Sequence, residues 1–206
     1  MYTKHIPRIV KPLAKDLVFR LDNKANKIYL TFDDGPHSTI TPWVLDELAR
    51  VGAKATFFIV GDNIPDNEHI IQRIVAEGHA LGNHSFNHLN GWKTTNEEYV
   101  SNVEACSSLI PSRLLRPPYG KITRSQVKAL KEAYSIIMWS DLSADFDIKY
   151  SGEDCFEYAT RKVRPGSIIV FHDSEKAEER LRKALPLALD YYVDKGFTMA
   201  PIPQEV

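Results

Sequence analysis

Short apolar runs alternate with amphipathic segments along most of the chain, beginning at about residue 27. Residues 27–32 predict a strand, because β-branched and aromatic residues lead directly into the turn-forming sequence Asp-Asp-Gly-Pro. A helix should follow, with Thr41 as its cap, Pro42 at its first position and Gly52 at its end. The pattern also predicts strands or extended segments at 54–60, 114–119, 135–140, 167–172 and 197–202, and helices at 67–77, 95–109, 123–133, 153–163 and 176–195.

This alternation of strand and helix, repeated about seven times, predicts an α/β fold with a parallel sheet. An open doubly wound sheet and a closed barrel both fit the periodicity, which does not distinguish them. With 206 residues, 43% of them hydrophobic, the chain has material for one core. We therefore expect a single domain over residues 1–206, with its main part at about 27–203. The last predicted helix contains Pro186, which should kink or split it, because proline removes a helical hydrogen bond.

Polar residues gather where the predicted strands end. In parallel-sheet folds, ligands and catalytic groups lie at the carboxyl ends of the strands, so we expect one functional site there. Taken singly, Arg116 is more simply a surface charge and His172 a core histidine. The residues at such positions are Asp33, Asp34, Arg116, Tyr119, Asp141, Asp145 and His172.

Two histidines four residues apart, His84 and His88, form a candidate metal-binding pair. In a helix or turn this spacing places both imidazoles on one side, within reach of one ion. The pair alone is a weak signal, because such a spacing arises easily in a chain with 7 histidines. Asp34 strengthens it, since one carboxylate with two imidazoles leaves open positions for water and substrate, as in hydrolytic zinc sites.

The adjacent carboxylates Asp33 and Asp34 follow an apolar strand and precede Gly-Pro. A turn explains the glycine, the proline and one aspartate, because Asp-Gly-Pro is favourable turn chemistry. It does not explain two neighbouring carboxylates, which repel each other unless a cation lies beside them. We therefore interpret one aspartate as a metal ligand and the other as a base.

Composition argues against several classes of function. The 26 basic and 27 acidic side chains leave a net charge of -1, so no attraction to nucleic acid is expected. Cys106 and Cys155 form no C-x-x-C motif, so we expect two half-buried reduced thiols. No apolar stretch approaches the roughly 20 residues of a membrane span. Residues 1–18 make a poor secretory signal, which predicts a cytoplasmic protein, while the mixed basic and apolar residues 1–25 fit either covering one end of a barrel or contacting a membrane surface.

Four segments, in this order, resemble the successive motifs of the polysaccharide deacetylases, carbohydrate esterase family four, whose shared unit is the NodB homology domain. The likeness spans about residues 28–172, and the first two motifs are the most specific. The family's fold implies a distorted, incomplete (β/α) barrel of about seven parallel strands, similar to a TIM barrel but shorter than its usual length of about 250 residues. The four segments are Thr31-Phe32-Asp33-Asp34-Gly35-Pro36, His84-Ser85-Phe86-Asn87-His88, Arg116-Pro117-Pro118-Tyr119 and Val170-Phe171-His172.

The resemblance implies a metal centre with a base beside it. Asp34, His84 and His88 match the family's metal ligands, and Asp33 matches its general base. The implied cofactor is a divalent metal, with zinc as the first choice and cobalt or manganese as alternatives.

The other matching residues would complete a hydrolytic site. By likeness, Arg116 would orient and charge-balance Asp33, and the backbone N–H of Tyr119 would face the developing oxyanion. His172 would be the general acid, and Asp145 would tether or tune the side of the site that holds Arg116 and His172.

The implied reaction is removal of acetyl groups from N-acetylated sugar polymers or oligomers, such as chitooligosaccharide or the N-acetylglucosamine of peptidoglycan, with release of acetate. Such substrates usually lie outside the cytoplasm. Hydrolysis of O-acetyl groups on xylan, or of a small amide, would use nearly the same site. A carbohydrate-binding module without catalysis is the alternative from another class, and the oligomeric state stays open.

Two positions depart from the family's motifs. Phe146 follows Asp145 where tryptophan is usual, and Val170 precedes His172 where leucine is usual. The valine keeps an apolar wall, whereas the phenylalanine removes an indole N–H and so affects a substrate subsite or the support of the site. The aromatic residues that are candidates for sugar stacking are Trp92, Tyr119, Trp139 and Phe146.

Overall fold

The computed structural model describes residues 15–21 and 25–206 of the chain. Within them, one nine-stranded sheet is combined with six α-helices. The strands are β1 Leu17–Val18, β2 Lys27–Asp33, β3 Ala55–Ile59, β4 Ala80–Asn83, β5 Leu114–Leu115, β6 Ser135–Ile137, β7 Asp141–Leu142, β8 Ile168–His172 and β9 Thr198–Met199. The helices are α1 Ile40–Arg50, α2 Glu68–Ala76, α3 Asn96–Ser107, α4 Arg124–Leu130, α5 Gly152–Thr160 and α6 Glu178–Asp194.

The sheet forms an incomplete barrel of parallel strands. Its strands follow the order β1-β6-β5-β4-β3-β2-β8-β7, and β9 pairs with the start of β2. Every pairing between these strands is parallel. No pairing joins β7 to β1 in the described part of the chain, so the barrel stays open there. The predicted α/β fold and incomplete parallel barrel are confirmed.

The described N-terminal residues lie against the barrel. β1 pairs with β6, and Arg20 forms an antiparallel bridge with Ser167 just before β8. Residues 17–20 therefore cross from one side of the opening to the other. The expectations for the rest of the N-terminal segment concern residues 1–14 and 22–24, which lie outside the described residues.

The sequence pattern missed β4 and overextended the strand at 135–140. In β4, a Cβ atom at Gly82 would overlap the Phe58 ring, so the close approach of β3 requires a residue that weakens the strand pattern. β6 ends at Ile137 because the carbonyl groups of Ile137 and Met138 accept hydrogen bonds from the buried Arg116 side chain instead of continuing the ladder.

The start of α1 differs from the prediction. Thr39, not Thr41, is the capping residue, and its side chain makes no capping hydrogen bond. Instead, Nδ1 of His37 accepts from the backbone N–H groups of Thr39 and Ile40, at 3.3 Å each. Thr41 lies inside the helix, and its hydroxyl group bonds to the His37 N–H and to Asp173 instead of capping the helix. The end of the helix before Gly52, with φ +68°, agrees with the prediction.

Pro186 does not split the last helix. α6 continues through this residue from Glu178 to Asp194. Packing of its apolar face against the core offsets the hydrogen bond that proline removes. The buried residues of that face are Leu181, Ala184, Leu185, Ala188, Leu189 and Tyr192.

Three expectations from composition can be compared with the structure. Cys106 in α3 and Cys155 in α5 form no disulfide bond with each other, and both are fully buried rather than half-buried. No helix of the described residues is long and apolar enough to cross a membrane.

The centre of the sheet positions the candidate site. Phe32 of β2 packs against Phe57 of β3 and Phe171 of β8, with ring centroids 5.1 and 6.1 Å apart. These aromatic contacts fix the relative register of the three strands. As a result, Asp33 at the end of β2 pairs with His172 at the end of β8. Two candidate residues therefore meet at the carboxyl edge of the sheet.

Candidate active site

The carboxyl ends of the strands bring most of the candidate residues together. β2 ends at Asp33, β8 ends at His172, and β4 leads directly into His84. β5 leads into Arg116, whose backbone N–H donates to the carbonyl of Asn83 at the end of β4. The predicted gathering of polar groups at this edge is therefore observed.

Asp34, His84 and His88 form a compact group of possible metal ligands. Oδ1 of Asp34 lies 3.1 Å from Nε2 of His88 and 3.6 Å from Nε2 of His84. One ligand atom from each residue lies within 4.8 Å of the others. Zinc bound at about 2 Å from each ligand would hold such atoms roughly 3–3.5 Å apart, so the spacing fits one ion. His84 is buried, while Asp34 and His88 are half-buried, which leaves one side of the group open.

The hydrogen bond of His84 fixes its tautomer. Nδ1 of His84 lies 2.7 Å from the carbonyl oxygen of Arg116, which only accepts, so Nδ1 carries the proton. Nε2 then turns a lone pair toward Asp34. Burial lowers the pKa of His84 to about 4, although the charges of Asp33 and Asp34 oppose this effect. The residue is therefore neutral near pH 7, as a metal ligand must be.

The Asp34 carboxylate is strongly favoured in its charged form. Burial alone would raise the pKa of Asp34, but the hydrogen bond with His88 and the nearby charge of His172 hold the pKa well below its usual range. On the other side, Nδ1 of His88 lies 3.2 Å from the hydroxyl oxygen of Tyr119, which orients the imidazole.

Several site residues have left-handed backbone conformations although none of them is glycine. A positive φ angle in such residues costs free energy and persists only where the surrounding structure enforces it. Nδ2 of Asn63 donates to the carbonyl of Asp34 at 2.8 Å, and Oδ1 of Asn83 accepts from the N–H of Ser85 at 2.8 Å. The residues and their φ angles are Asp34 (80°), Ser85 (62°), His88 (55°), Tyr119 (59°) and Ala144 (63°).

Arg116 is fully buried and pairs with Asp33. Its Nη1 atom lies 2.6 Å from Oδ1 of Asp33 and 2.6 Å from the hydroxyl oxygen of Thr31. The remaining nitrogens donate to the carbonyl groups of Ile137 and Met138. Since the guanidinium is 0% exposed and all three nitrogens have partners, the simpler interpretation of Arg116 as a surface charge was wrong.

His172 is paired with the buried carboxylate of Asp145. Nδ1 of His172 lies 2.7 Å from Oδ1 of Asp145, and the other oxygen accepts from the backbone N–H of His172 at 2.9 Å. Burial lowers the pKa of His172, but the charge and hydrogen bond of Asp145 outweigh it, with help from Asp34 and Asp33, and raise the pKa to about 9. The structure thus places Asp145 against His172, whereas backbone carbonyls and Asp33 hold Arg116.

The segment after Arg116 is a turn rather than the extended stretch that the prolines predicted. Residues 118–120 form one turn of 3₁₀ helix, with Tyr119 in the left-handed region. This turn places the Tyr119 ring 4.6 Å from the His88 ring. That the backbone N–H of Tyr119 points toward the oxyanion stays a prediction.

The four aromatic candidates differ in exposure. Trp92 is 66% exposed and Tyr119 is 59% exposed, so both present open rings. Phe146 packs edge-on against His172, with centroids 4.9 Å apart. Trp139 packs partly into the core, which makes it the weakest candidate for contact with a sugar.

Sequence reasoning missed the residues that support the two aspartates. Asp173 accepts from the backbone N–H of Gly35, Asn63 donates to the carbonyl of Asp34, and Thr41 donates to the Asp173 carboxyl group. Asp173 follows His172 directly and belongs to none of the motifs. A second carboxylate at the end of an apolar strand was the one signal in the sequence that pointed to it.

The fold and the site define a centre in which three candidate metal ligands lie beside two pairs of charged side chains, Asp33 with Arg116 and His172 with Asp145. The polysaccharide deacetylase family matches residues 20–134, more than half of the chain, and the chain belongs to this family. A peptidoglycan-N-acetylglucosamine deacetylase of Bacillus cereus is 35% identical over 159 residues, which cover 74% of this chain. Because that alignment covers 57% of the relative, the chain spans little more than half of that protein's length.

Two further comparisons extend over nearly the whole chain. A chitooligosaccharide deacetylase of Bradyrhizobium sp. is 32% identical over 197 residues, which cover 86% of this chain and 89% of the relative. The crystal structure of the Bc1960 peptidoglycan N-acetylglucosamine deacetylase is similar with a TM-score of 0.88 at 28% identity, over 96% of both chains. The fold and the family are thus supported by independent comparisons.

Proposed function

We propose that this protein is a metal-dependent deacetylase that removes acetyl groups from N-acetylglucosamine units of glycans and releases acetate. The observation that carries the proposal is the open Asp34, His84 and His88 group, next to which Asp33 and His172 pair at the ends of two neighbouring strands. The names of the relatives, which include deacetylases of peptidoglycan and of chitooligosaccharides, support the choice of substrate class.

The residues can be assigned separate roles in amide hydrolysis. A divalent ion held by Asp34, His84 and His88, with zinc preferred and cobalt or manganese as alternatives, would supply Lewis acidity to the acetyl carbonyl and to water. Asp33 accepts a proton from the attacking water while Arg116 holds its carboxylate in place.

The second proton transfer is assigned to His172. His172 is protonated at neutral pH because Asp145 raises its pKa, so it can donate a proton to the departing amine nitrogen. In our proposal the backbone N–H of Tyr119 stabilises the oxyanion. The products are acetate and a free amino group on the sugar.

Metal-stripped protein should release no acetate from N-acetylglucosamine oligomers, and added zinc or cobalt should restore release. The measurement is acetate release against metal added, with calcium as a control ion that prefers oxygen ligands. Release without any bound metal would contradict the metal dependence. If zinc binds but no oligomer is cleaved, acetylated xylan tests the O-acetyl esterase, and sugar binding without acetate release supports the non-catalytic module.

Removing one imidazole should weaken metal binding. We expect His88→Ala to bind zinc at least about tenfold more weakly than the unaltered protein, because one of three protein ligands is lost. The exposed His69→Ala is the matched control. The bound zinc is measured after dialysis against a chelator, and an unchanged content would remove His88 from the ligand set.

Trp92 should matter more as the substrate grows longer. Its ring is fixed by an Nε1 hydrogen bond to the carbonyl of Ile122, at 3.2 Å, in the connection between β4 and α3 that also carries His84 and His88. We expect Trp92→Ala to raise KM about three- to tenfold for long oligomers, with little effect on the shortest substrate, because only a long chain reaches the ring. The exposed Leu187→Ala is the control, and an equal change of KM at every length would contradict this subsite.

A further inference from the structure

Asp173 is a buried carboxylic acid that the proposed reaction does not use. It follows β8 directly and is 1% exposed. Oδ1 of Asp173 accepts from the backbone N–H of Gly35 at 3.2 Å, and Oδ2 accepts from the Thr41 hydroxyl at 2.5 Å. Its own backbone N–H donates to the carbonyl of Asp33 at 3.2 Å. One residue therefore contacts the chain on both sides of Asp34.

The side chain and the backbone that it contacts fit closely together. A Cβ atom on residue 35 would overlap the carboxyl group of Asp173, so only glycine allows this approach. Thr41 extends the arrangement, because its hydroxyl oxygen also accepts from the N–H of His37 at 2.8 Å. The Asp173 carboxyl group thus accepts one hydrogen bond from α1 and another from Gly35, just after the end of β2.

These hydrogen bonds fix the two peptide groups that flank Asp34. In the peptide group before Asp34, the Asp33 carbonyl accepts a hydrogen bond from the backbone N–H of Asp173. The peptide group after Asp34 has two such bonds: its N–H, on Gly35, donates to the Asp173 side chain, and its carbonyl, on Asp34, accepts from the Asn63 side chain. Fixing both peptide groups sets both backbone dihedral angles of the residue between them. Asp34 has a φ of +80°, a conformation that persists only when its surroundings impose it.

Global stability is a poor explanation for this carboxyl group. Burying an acid costs free energy unless hydrogen bonds compensate for the lost water, and an apolar residue at the same position would avoid that cost. Burial is the main reason that the pKa of Asp173 is raised, and the charges of Asp34 and Asp33 add to the effect. The hydrogen bonds from Gly35 and Thr41 offset the free energy of burying this acid, so its role lies in the groups that it holds.

We propose that Asp173 is a positioning residue that holds Asp34 in its left-handed conformation and thereby aims the Asp34 carboxylate at the metal, with Thr41 orienting Asp173. This inference rests on the metal site of the proposed function. In this proposal Asp173 contacts neither substrate nor metal, and its effect is transmitted entirely through the backbone of residues 33–35.

The test measures metal binding rather than turnover. We expect Asp173→Ala to bind zinc roughly 10–100-fold more weakly in competition with a chromophoric chelator, as is usual when a supporting residue of a metal ligand is lost. The visible absorption of the cobalt-loaded variant should change as well, because a displaced Asp34 alters the coordination of the ion. Asp173→Asn should lie between Asp173→Ala and the unaltered protein, since its amide oxygen still accepts from the Gly35 N–H.

Two threonine variants separate positioning from stability. Thr41→Val removes the hydroxyl that orients Asp173 and should weaken zinc binding. Thr160→Val is the matched control, because Thr160 is also buried and donates to a carbonyl within α5, outside the motifs. We expect it to lower the melting temperature while zinc affinity and the cobalt spectrum stay unchanged.

The outcomes distinguish this inference from the proposed function. Unaltered zinc affinity and an unaltered cobalt spectrum in folded Asp173→Ala overturn the inference and leave the metal site standing. If that variant does not fold, the same readouts on Asp173→Asn and Thr41→Val decide in its place. Unaltered protein that binds no zinc overturns the metal site and this inference together.

Discussion

Asp33→Asn is expected to bind zinc normally and to lose turnover by about 10²–10⁴-fold. The amide has the same shape as the carboxylate and its oxygen still accepts from Arg116, so the site should stay assembled. An amide does not accept a proton at neutral pH, and the attacking water then loses its base. The zinc ligands of the proposed site do not include Asp33, so an unchanged zinc content would show that the variant keeps its metal site.

The measurement is kcat with zinc content determined on the same samples. Asp66→Asn is the matched control, because that carboxylate is exposed and contributes to no site. Melting curves should accompany the assay, since Asp33→Asn leaves the buried Arg116 charge without its counter-charge. Full activity in folded Asp33→Asn would refute the role of base, and loss of zinc would make Asp33 a ligand.

Asp145→Asn should disable the acid by changing the charge of His172. Burial lowers the pKa of His172, and Asp145 is the largest influence that raises it. Without the Asp145 charge, burial should dominate and bring the pKa far down from about 9, so that the imidazole is neutral at pH 7. A neutral imidazole has no proton to give, and we expect activity at pH 7 to fall about 10²–10³-fold.

The sign of the pH effect gives a stricter test. Activity needs protonated His172, so kcat/KM should fall as pH rises through the pKa of this residue, and Asp145→Asn should move that alkaline limb to lower pH. A bound cation lowers the pKa of His172 in the unaltered protein and in the variant alike. The difference between their two pH profiles is therefore the quantity to compare. Asp194→Asn, which changes an exposed carboxylate on α6, is the control. An unmoved limb would exclude His172 as the acid whose charge Asp145 sets.

The sequence predicted the fold class and the location of the site for one physical reason. Strand–helix alternation produces a parallel sheet, and the carboxyl ends of parallel strands share one edge. Asp33 and His172 are far apart in the sequence, yet each ends an apolar run, and the structure pairs them across β2 and β8.

What the sequence did not predict depends on particular contacts between distant segments. β4 was missed because Gly82 accommodates the Phe58 ring, and the cap of α1 was misplaced because the His37 imidazole accepts the helix N–H groups. The left-handed conformations were invisible, since Asp34, Ser85 and other non-glycine residues adopt them only when neighbouring segments enforce them. No local pattern records an influence of that kind.

The left-handed residues have a consequence for laboratory evolution. Each of Asp34, Ser85, His88, Tyr119 and Ala144 adopts a conformation that costs about 1–2 kcal/mol, so five together approach the net stability of a domain, about 5–15 kcal/mol. Glycine would relieve that strain at each position. A library selected for heat resistance alone should therefore collect glycines around the catalytic edge, and it would gain thermostability by dismantling the geometry that supports turnover.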